Sequence, residues 1–420
     1  MFRQISPYEK GLINSNFMVQ FALRLESPKY VDETIDKLQK SILGFRLKLV
    51  DGNLFQALNN SEINLKKSPT FNTLREILAF SVKNNHPDYQ KSFASITANS
   101  TDVVVNMNHV VADGGYIKNL IDNFNNLGKS EVSPALPVLP VESLGNYITN
   151  ADDPSGSNLY LSKLNLKNKK SNPNSPEARM NWFEIEAKDL ACYDKNTRKC
   201  HALSENVWLA EILSSLAHSD LPQDIPNLIG INTLFDLRPY INPEFYNENK
   251  LSILNHFSWL HVLSEFNSEM TIKDLSISLR KSLKQKIKEG EHFSNLKYAS
   301  PGSSKTMSNN APKRVEPQAK ISNGAICSSS NVGFVVFQKP IEDIAFGSSV
   351  PTYRNLTSLL NYSLIDETKE KNTFVGGLSY SYEYVEPKYA NLITKSCDFF
   401  LRNVTPEMKV ENVLQMLKKF

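Results

Sequence analysis

A mixed α/β chain of two lobes is what this sequence predicts. Helical and strand periodicities alternate along its length, a polar stretch at 152–177 interrupts them, and 420 residues are too many for one hydrophobic core. Residues 1–165 and 178–420 are therefore the expected domains, and a cleft between them is the natural seat for a site.

The elements follow in order. VDETIDKLQKSIL at 31–43 puts Val31, Ile35, Leu38 and Ile42 on one helical face, and FRLKLVDGNLF after it alternates around Asp51-Gly52, a hairpin signal. LREILAFSVKN at 74–84 reads as a second helix, and residues 92–110 as two strands around the turn ANST. Beyond residue 116, Ile117, Leu120, Ile121, Phe124 and Leu127 recur at helical spacing, with Gly128 placed to end the run. SPALPVLP at 133–140 is a loop, and 152–177 the interdomain linker. In the second part, residues 204–219 and 270–290 read as amphipathic helices, the latter through Ile272, Leu275, Leu279, Leu283 and Ile287. NLIGINTLFDL, NHFSWLHVL, SNVGFVVF and TFVGGLSYSYEYV are strand candidates around them. Tyr380, Tyr382 and Tyr384 alternate along the last, for either core or cleft, and the polar segment 299–324 reads as an exposed flexible insertion.

Composition excludes several functions. The longest apolar run falls short of about 18 residues, so no membrane span is expected, and the start lacks a secretory pattern, which points to a cytoplasmic protein. Cys192, Cys200, Cys327 and Cys397 match no zinc spacing or disulfide framework, so reduced thiols and no metal are expected. The C-x7-C pair is the one close spacing among them. A net charge of +3 with scattered basic residues gives no nucleic-acid surface.

One stretch carries chemistry. NMNHVVADGGYIKNL at 106–120 places His109 at the end of a strand, Asp113 four residues on, and Gly114 and Gly115 at the junction with the next helix. A neutral imidazole takes and returns protons near neutral pH, and a strand end presents it to a cleft. Asp113 either orients that ring or folds back to anchor the loop.

These residues resemble the H-x-x-x-D-G motif of the CoA-dependent acyltransferase superfamily. That group includes chloramphenicol acetyltransferase, plant BAHD enzymes, alcohol acetyltransferases, polyketide-associated acyltransferases and peptide-synthetase condensation domains. NTLFDLRPYINP at 232–243 is similar to the family's D-x-R segment, SNVGFVVFQKPIEDI at 330–344 to its S-N-[IV]-G strand, and RQISPYEKG at 3–11 to its first turn. The resemblance implies two chloramphenicol-acetyltransferase-like domains with a tunnel between them and His109 at its middle.

It further implies that His109 is general base to an acceptor hydroxyl or amine attacking the thioester of acyl-CoA, commonly acetyl-CoA, in a ternary complex. No bound cofactor is implied, and the partners are acyl-CoA and a small alcohol or amine, with a monomer complete in itself. Asp113 would pair with Arg238 as a structural anchor. Gly114 and Gly115 would clear a path for the pantetheine arm, while Ser330 and Asn331 would either contact the oxyanion or satisfy backbone groups. Asn108 stands where several relatives carry a second histidine, and DIAFGSS at 343–349 keeps only part of the BAHD D-F-G-W-G loop. Both departures favour the alcohol acetyltransferase and polyketide-associated types. The alternatives are a condensation-type enzyme fed by a carrier protein and a silent binding module.

Overall fold

The computed structural model describes residues 1–129, 133–149, 178–219, 228–242, 245, 254–296, 324–349, 357–366, 371–381 and 385–420. The linker at 152–177 lies outside them, as do 299–323 of the segment read as an insertion, and Tyr382 and Tyr384. Gly324 is not insertion but the first residue of a strand.

In chain order the first half gives β1 (Met18–Leu25), α1 (Val31–Ser41), β2 (Leu65–Lys67), α2 (Leu74–Asn84), β3 (Ala94–Ala98), β4 (Asp102–Asn108) and α3 (Gly114–Asp122). The second gives β5 (Ala178–Glu186), α4 (Leu203–Ala217), β6 (Leu228–Asp236), β7 (Phe257–Glu265), α5 (Ile272–Lys288), β8 (Gly324–Phe337), β9 (Ile341–Ser349), β10 (Thr357–Asp366), β11 (Lys371–Ser381), α6 (Pro387–Asn403) and α7 (Val410–Leu417).

Local chemistry sets these ends. Thr73 and Glu76 form a reciprocal capping box that starts α2, and Ser6 with Glu9 does the same for the helix Pro7–Asn14. Arg3 then grips Glu9 at 2.6 Å, tying the first residues to that helix. Asp51 (φ +50°) and Gly52 (φ +68°) turn the hairpin between Leu47–Val50 and Leu54–Ala57. Gly128, at φ +74°, closes the run that begins with α3.

The strands form two main sheets, one of five in the order β9-β1-β4-β3-β2 and one of six in the order β7-β6-β8-β10-β11-β5. β9 comes from the second half of the chain yet pairs antiparallel with β1, Phe346 opposite Phe21 and Ser348 opposite Val19. The second half therefore supplies an edge of the first sheet. In the other sheet β6 and β8 run parallel and stay paired only as far as Thr233 and Ser329. Past that point β6 goes its own way, whereas β8 continues against β10 through a bulge between Asn331 and Gly333. This fork is the opening into which the site is built.

One core, around Phe21, Phe45, Val105 and Ile117, reaches across to Val335, Tyr362 and Val375 of the six-stranded sheet. A second lies between that sheet and α4, α5, α6 and α7, and it takes in Tyr380. α4 differs from its amphipathic reading: every residue from Val207 to Ala217 is buried, because the helix lies beneath α6 and α7. Among the described residues no helix is long and apolar enough to cross a membrane.

Candidate active site

His109 directly follows β4, and its N–H donates to the carbonyl of Phe17 at 2.8 Å. The ring is held between two aromatic faces, Phe17 at 4.3 Å and Phe257 at 4.9 Å between centroids. It is 4% exposed and lines a cleft of about 820 Å³, a volume that includes space open to solvent. Burial lowers its pKa, against a weaker upward pull from Asp113, so the imidazole is neutral at neutral pH. The ring's own backbone carbonyl favours the protonated form and offsets part of that lowering.

Asp113 caps α3, its Oδ1 accepting from the Tyr116 N–H at 2.8 Å. The same oxygen accepts from Arg238 Nη2 at 2.7 Å, and Oδ2 accepts from the His256 N–H at 2.7 Å. Burial alone would raise the carboxyl pKa, but the Arg238 charge and these donors overcome it and hold the group below its usual range. Both oxygens of Asp113 thus have donors from α3, Arg238 and the chain before β7. Arg238, 5% exposed, also donates to Asp236 Oδ1 at 2.9 Å and to the Leu254 carbonyl at 3.0 Å.

The two glycines differ in their surroundings. Neither lies at positive φ, since both begin a helix. A Cβ on Gly115 would strike Nη1 of Arg238 and come within 3.3 Å of Asp236 Oδ2, so the space its side chain would need is occupied by the ion pair. At Gly114 a Cβ would meet Val332 at an ordinary 3.6 Å. Both line the cleft, but what Gly115 clears is room for a guanidinium.

Ser330 and Asn331 lie on the β8 side of the fork, facing Leu234, Phe235 and Asp236 of β6 across the cleft. Asn331 Oδ1 accepts from the Gly333 N–H at 2.8 Å and thereby holds the bulge, where Gly333 takes φ +85°. A second cavity of about 510 Å³ shares Leu234, Phe235 and Asn331 with the cleft and is walled by Ser204, Val207 and Trp208 of α4 and Leu283 of α5. Phe346 and Gly347 of β9 reach the cleft from the first sheet, whereas Asn108 turns away, its amide donating to the Tyr89 hydroxyl at 2.8 Å.

Residues that no motif marked complete the site. Asn255 donates its Nδ2 to the His109 carbonyl at 2.5 Å and lies 3.4 Å from the ring Nδ1. His256, its pKa pushed down to about 3 mainly by burial, meets the Ser143 hydroxyl through Nε2 at 2.7 Å. Both follow β6 by some twenty residues and open NHFSWLHVL, which reads as strand from its first residue, whereas β7 begins at Phe257.

This two-lobed arrangement is the fold of the condensation domains and CoA-dependent acyltransferases. The epimerization domain from the third module of tyrocidine synthetase B superposes with a TM-score of 0.59 at 12% identity, covering 100% of this chain and 98% of that one. For the trichothecene 15-O-acetyltransferase TRI3 of Fusarium sporotrichioides the values are 0.61 and 11%, over 95% and 94% of the two chains. The starter condensation domain of rhizomide synthetase, solved in complex with C8-CoA, gives 0.56 and 7%, over 98% and 97%. Compared by sequence, the chain matches no protein-family model and no curated protein.

Proposed function

We propose that the protein is an acyltransferase in which His109 is the general base and an acyl-CoA, such as acetyl-CoA, the donor to a small alcohol or amine. The observation that carries this reading is the place and state of His109: a buried ring with a lowered pKa, lining the cleft where β9 and the β6–β8 fork meet. Nε2 takes the proton of the acceptor as its oxygen or nitrogen attacks the thioester carbonyl carbon. The tetrahedral oxyanion collapses, the carbon–sulfur bond breaks, and the departing thiolate recovers the proton from Nε2. Base assistance of this kind contributes about 10²- to 10⁴-fold, and holding both substrates in one cleft adds proximity. A solved neighbour's complex with C8-CoA supports a CoA thioester as donor.

Asp113 and Arg238 serve this chemistry as anchors, bonded to one another and to the backbone at Tyr116, His256 and Leu254. Ser330 and Asn331 are the candidate oxyanion donors: Asn331 Oδ1 accepts in the bulge, which leaves its Nδ2 as the donating atom. The test is thiol release from a panel of acyl-CoAs with mixed alcohols and amines, comparing the native protein with His109→Ala. Acceptor-dependent release that falls by about 10²-fold or more in the variant is the expected result. Release that survives the substitution removes His109 from the base role.

A further inference from the structure

We propose that the cavity beyond the β6–β8 fork is a subsite for a second, non-reacting hydroxyl of the acceptor, with Asn361 as the residue that takes its hydrogen. This subsite rests on the reading of His109 as the base and narrows the acceptor to a diol or an amino alcohol. The face of the six-stranded sheet that packs on α4 is apolar up to one level and polar beyond it. Ile229 and Ile231 precede Thr233 on β6, Cys327 precedes Ser329 on β8, and Leu359 precedes Asn361 on β10. Thr233 is paired with Ser329, and Asn361 with Asn331, so the change comes at neighbouring positions of three adjacent strands. All four of these polar residues wall the cavity. Side chains that packed only against α4 would continue apolar.

Asn361 is 2% exposed, and its neighbours settle which way its amide faces. Nδ2 donates to the carbonyls of Ser330 at 3.1 Å and Leu359 at 3.4 Å, and to the Ser329 hydroxyl at 3.1 Å. Two of these partners can only accept, so the nitrogen is the committed atom and Oδ1 the one left over. Among the described residues neither Asn361 Oδ1 nor the Thr233 hydroxyl has a partner, and both keep access to the cavity. Each belongs to a residue more than nine-tenths buried, where a polar atom is normally bonded.

The rest of the wall selects the ligand. Val207 and Trp208 of α4 and Leu283 of α5 give it an apolar side, and Leu234 and Phe235 belong to both the cavity and the cleft of His109. A plain alkyl chain would fill the space but strip Asn361 Oδ1 and Thr233 of water and return no hydrogen bond. No charged side chain lines the cavity among the described residues, so a neutral hydroxyl suits it better than an ammonium. With the reacting group at His109, the carbon skeleton passes Leu234 and Phe235, and the distal hydroxyl donates to Asn361 Oδ1.

The experiment measures thiol release from acetyl-CoA and octanoyl-CoA with terminal diols from butanediol to octanediol, each against the simple alcohol of the same chain. Two equivalent hydroxyls raise kcat/KM about twofold by statistics alone, and the distal hydrogen bond should bring the best pair to about tenfold or more. Asn361→Leu, which keeps the size and removes the oxygen, should return that ratio to about twofold, and so should Leu283→Phe, which narrows the cavity without touching the amide. Unchanged circular dichroism shows that both variants are folded. Isothermal titration of the same pairs into His109→Ala reads the cavity without turnover, so tighter diol binding there supports the subsite even where the base reading fails. Equal binding of diol and alcohol, or a ratio that neither substitution lowers, would overturn the proposal. A preference for octanoyl-CoA over acetyl-CoA that Leu283→Phe abolishes would overturn it too, by making the cavity a pocket for the acyl chain.

Discussion

Asn255 holds His109 by its main chain: the side-chain amide of one donates to the carbonyl of the other at 2.5 Å, across 146 positions of sequence. The same amide nitrogen lies 3.4 Å from the ring Nδ1, so one side chain touches both the backbone and the ring of the base. Asn255→Ala removes both contacts and lets the imidazole rotate. A loss of about tenfold in kcat with KM little changed is expected, in keeping with one hydrogen bond of about 1 kcal/mol. A pH profile checks that Asn255 acts through His109, since its acid limb should shift in the variant, as it would not for a purely structural residue.

The pH dependence itself has a definite sign. Burial lowers the His109 pKa, so the free base persists below the ordinary histidine value of about 6.5. In native protein the acid limb of kcat/KM should therefore fall at a pH below 6.5. A limb at or above 6.5 would mean that the ring is solvated or paired with a negative charge in the working enzyme.

Contrasting alanines at the two glycines separate space from conformation. Gly115→Ala drives a methyl into the Arg238 guanidinium and disturbs a buried pair whose rupture costs about 3–5 kcal/mol, so a fall in Tm of many degrees is expected. Gly114→Ala meets only Val332 at 3.6 Å and gains helix propensity, so Tm should stay within a few degrees of native. Differential scanning fluorimetry on the pair is enough to compare them.

The sequence was readable where local rules decide. Thr73 and Glu76 with the apolar spacing after them place α2 at 74–84, and Asp51-Gly52 places a hairpin, because caps and turns are satisfied within a few residues. The departure of β9 was not readable. An alternating strand looks the same whichever sheet receives it, and Phe346 opposite Phe21 is a matter of tertiary fit. The partnership of Asp113 and Arg238 came from family likeness, since a separation of 125 positions carries no local signal. Gly115 shows how such likeness can suggest a residue while mistaking its neighbour: the sequence places a glycine there, but only the packing reveals a guanidinium against it. Asn255 had no motif at all, and its role follows solely from where the chain before β7 crosses the end of β4.

Histidines also shape stability in acid. Burial pushes His256 down to about 3 and both His261 and His292 down to about 4, so each binds a proton less readily folded than unfolded. A depressed histidine contributes stability that is present above the unfolded value of about 6.5 and is lost as pH falls toward the folded one. Denaturant midpoints should hold near neutral pH and decline from about pH 6.5 toward 4. His256→Gln, which keeps a polar contact for Ser143, should flatten that decline.

Glu211 works in the opposite direction. It lies in the middle of α4, fully buried, accepting from the Thr357 hydroxyl at 3.0 Å with the Cys327 thiol beside it. No basic side chain offsets its burial among the causes that set its pKa, which is raised well above the ordinary carboxyl value. A carboxyl bound more tightly to its proton when folded lends stability below the unfolded pKa of about 4.3 and loses it as pH rises toward the folded value. As pH rises, the fold therefore holds this buried carboxyl toward its protonated form at a cost that an amide of the same shape avoids. Glu211→Gln should raise Tm at pH 7 to 8, and the gain should shrink as the pH approaches 4.5. A gain that is independent of pH would show that packing, not the proton, accounts for it, and a loss at every pH would mean that the carboxyl makes a contact the amide cannot replace.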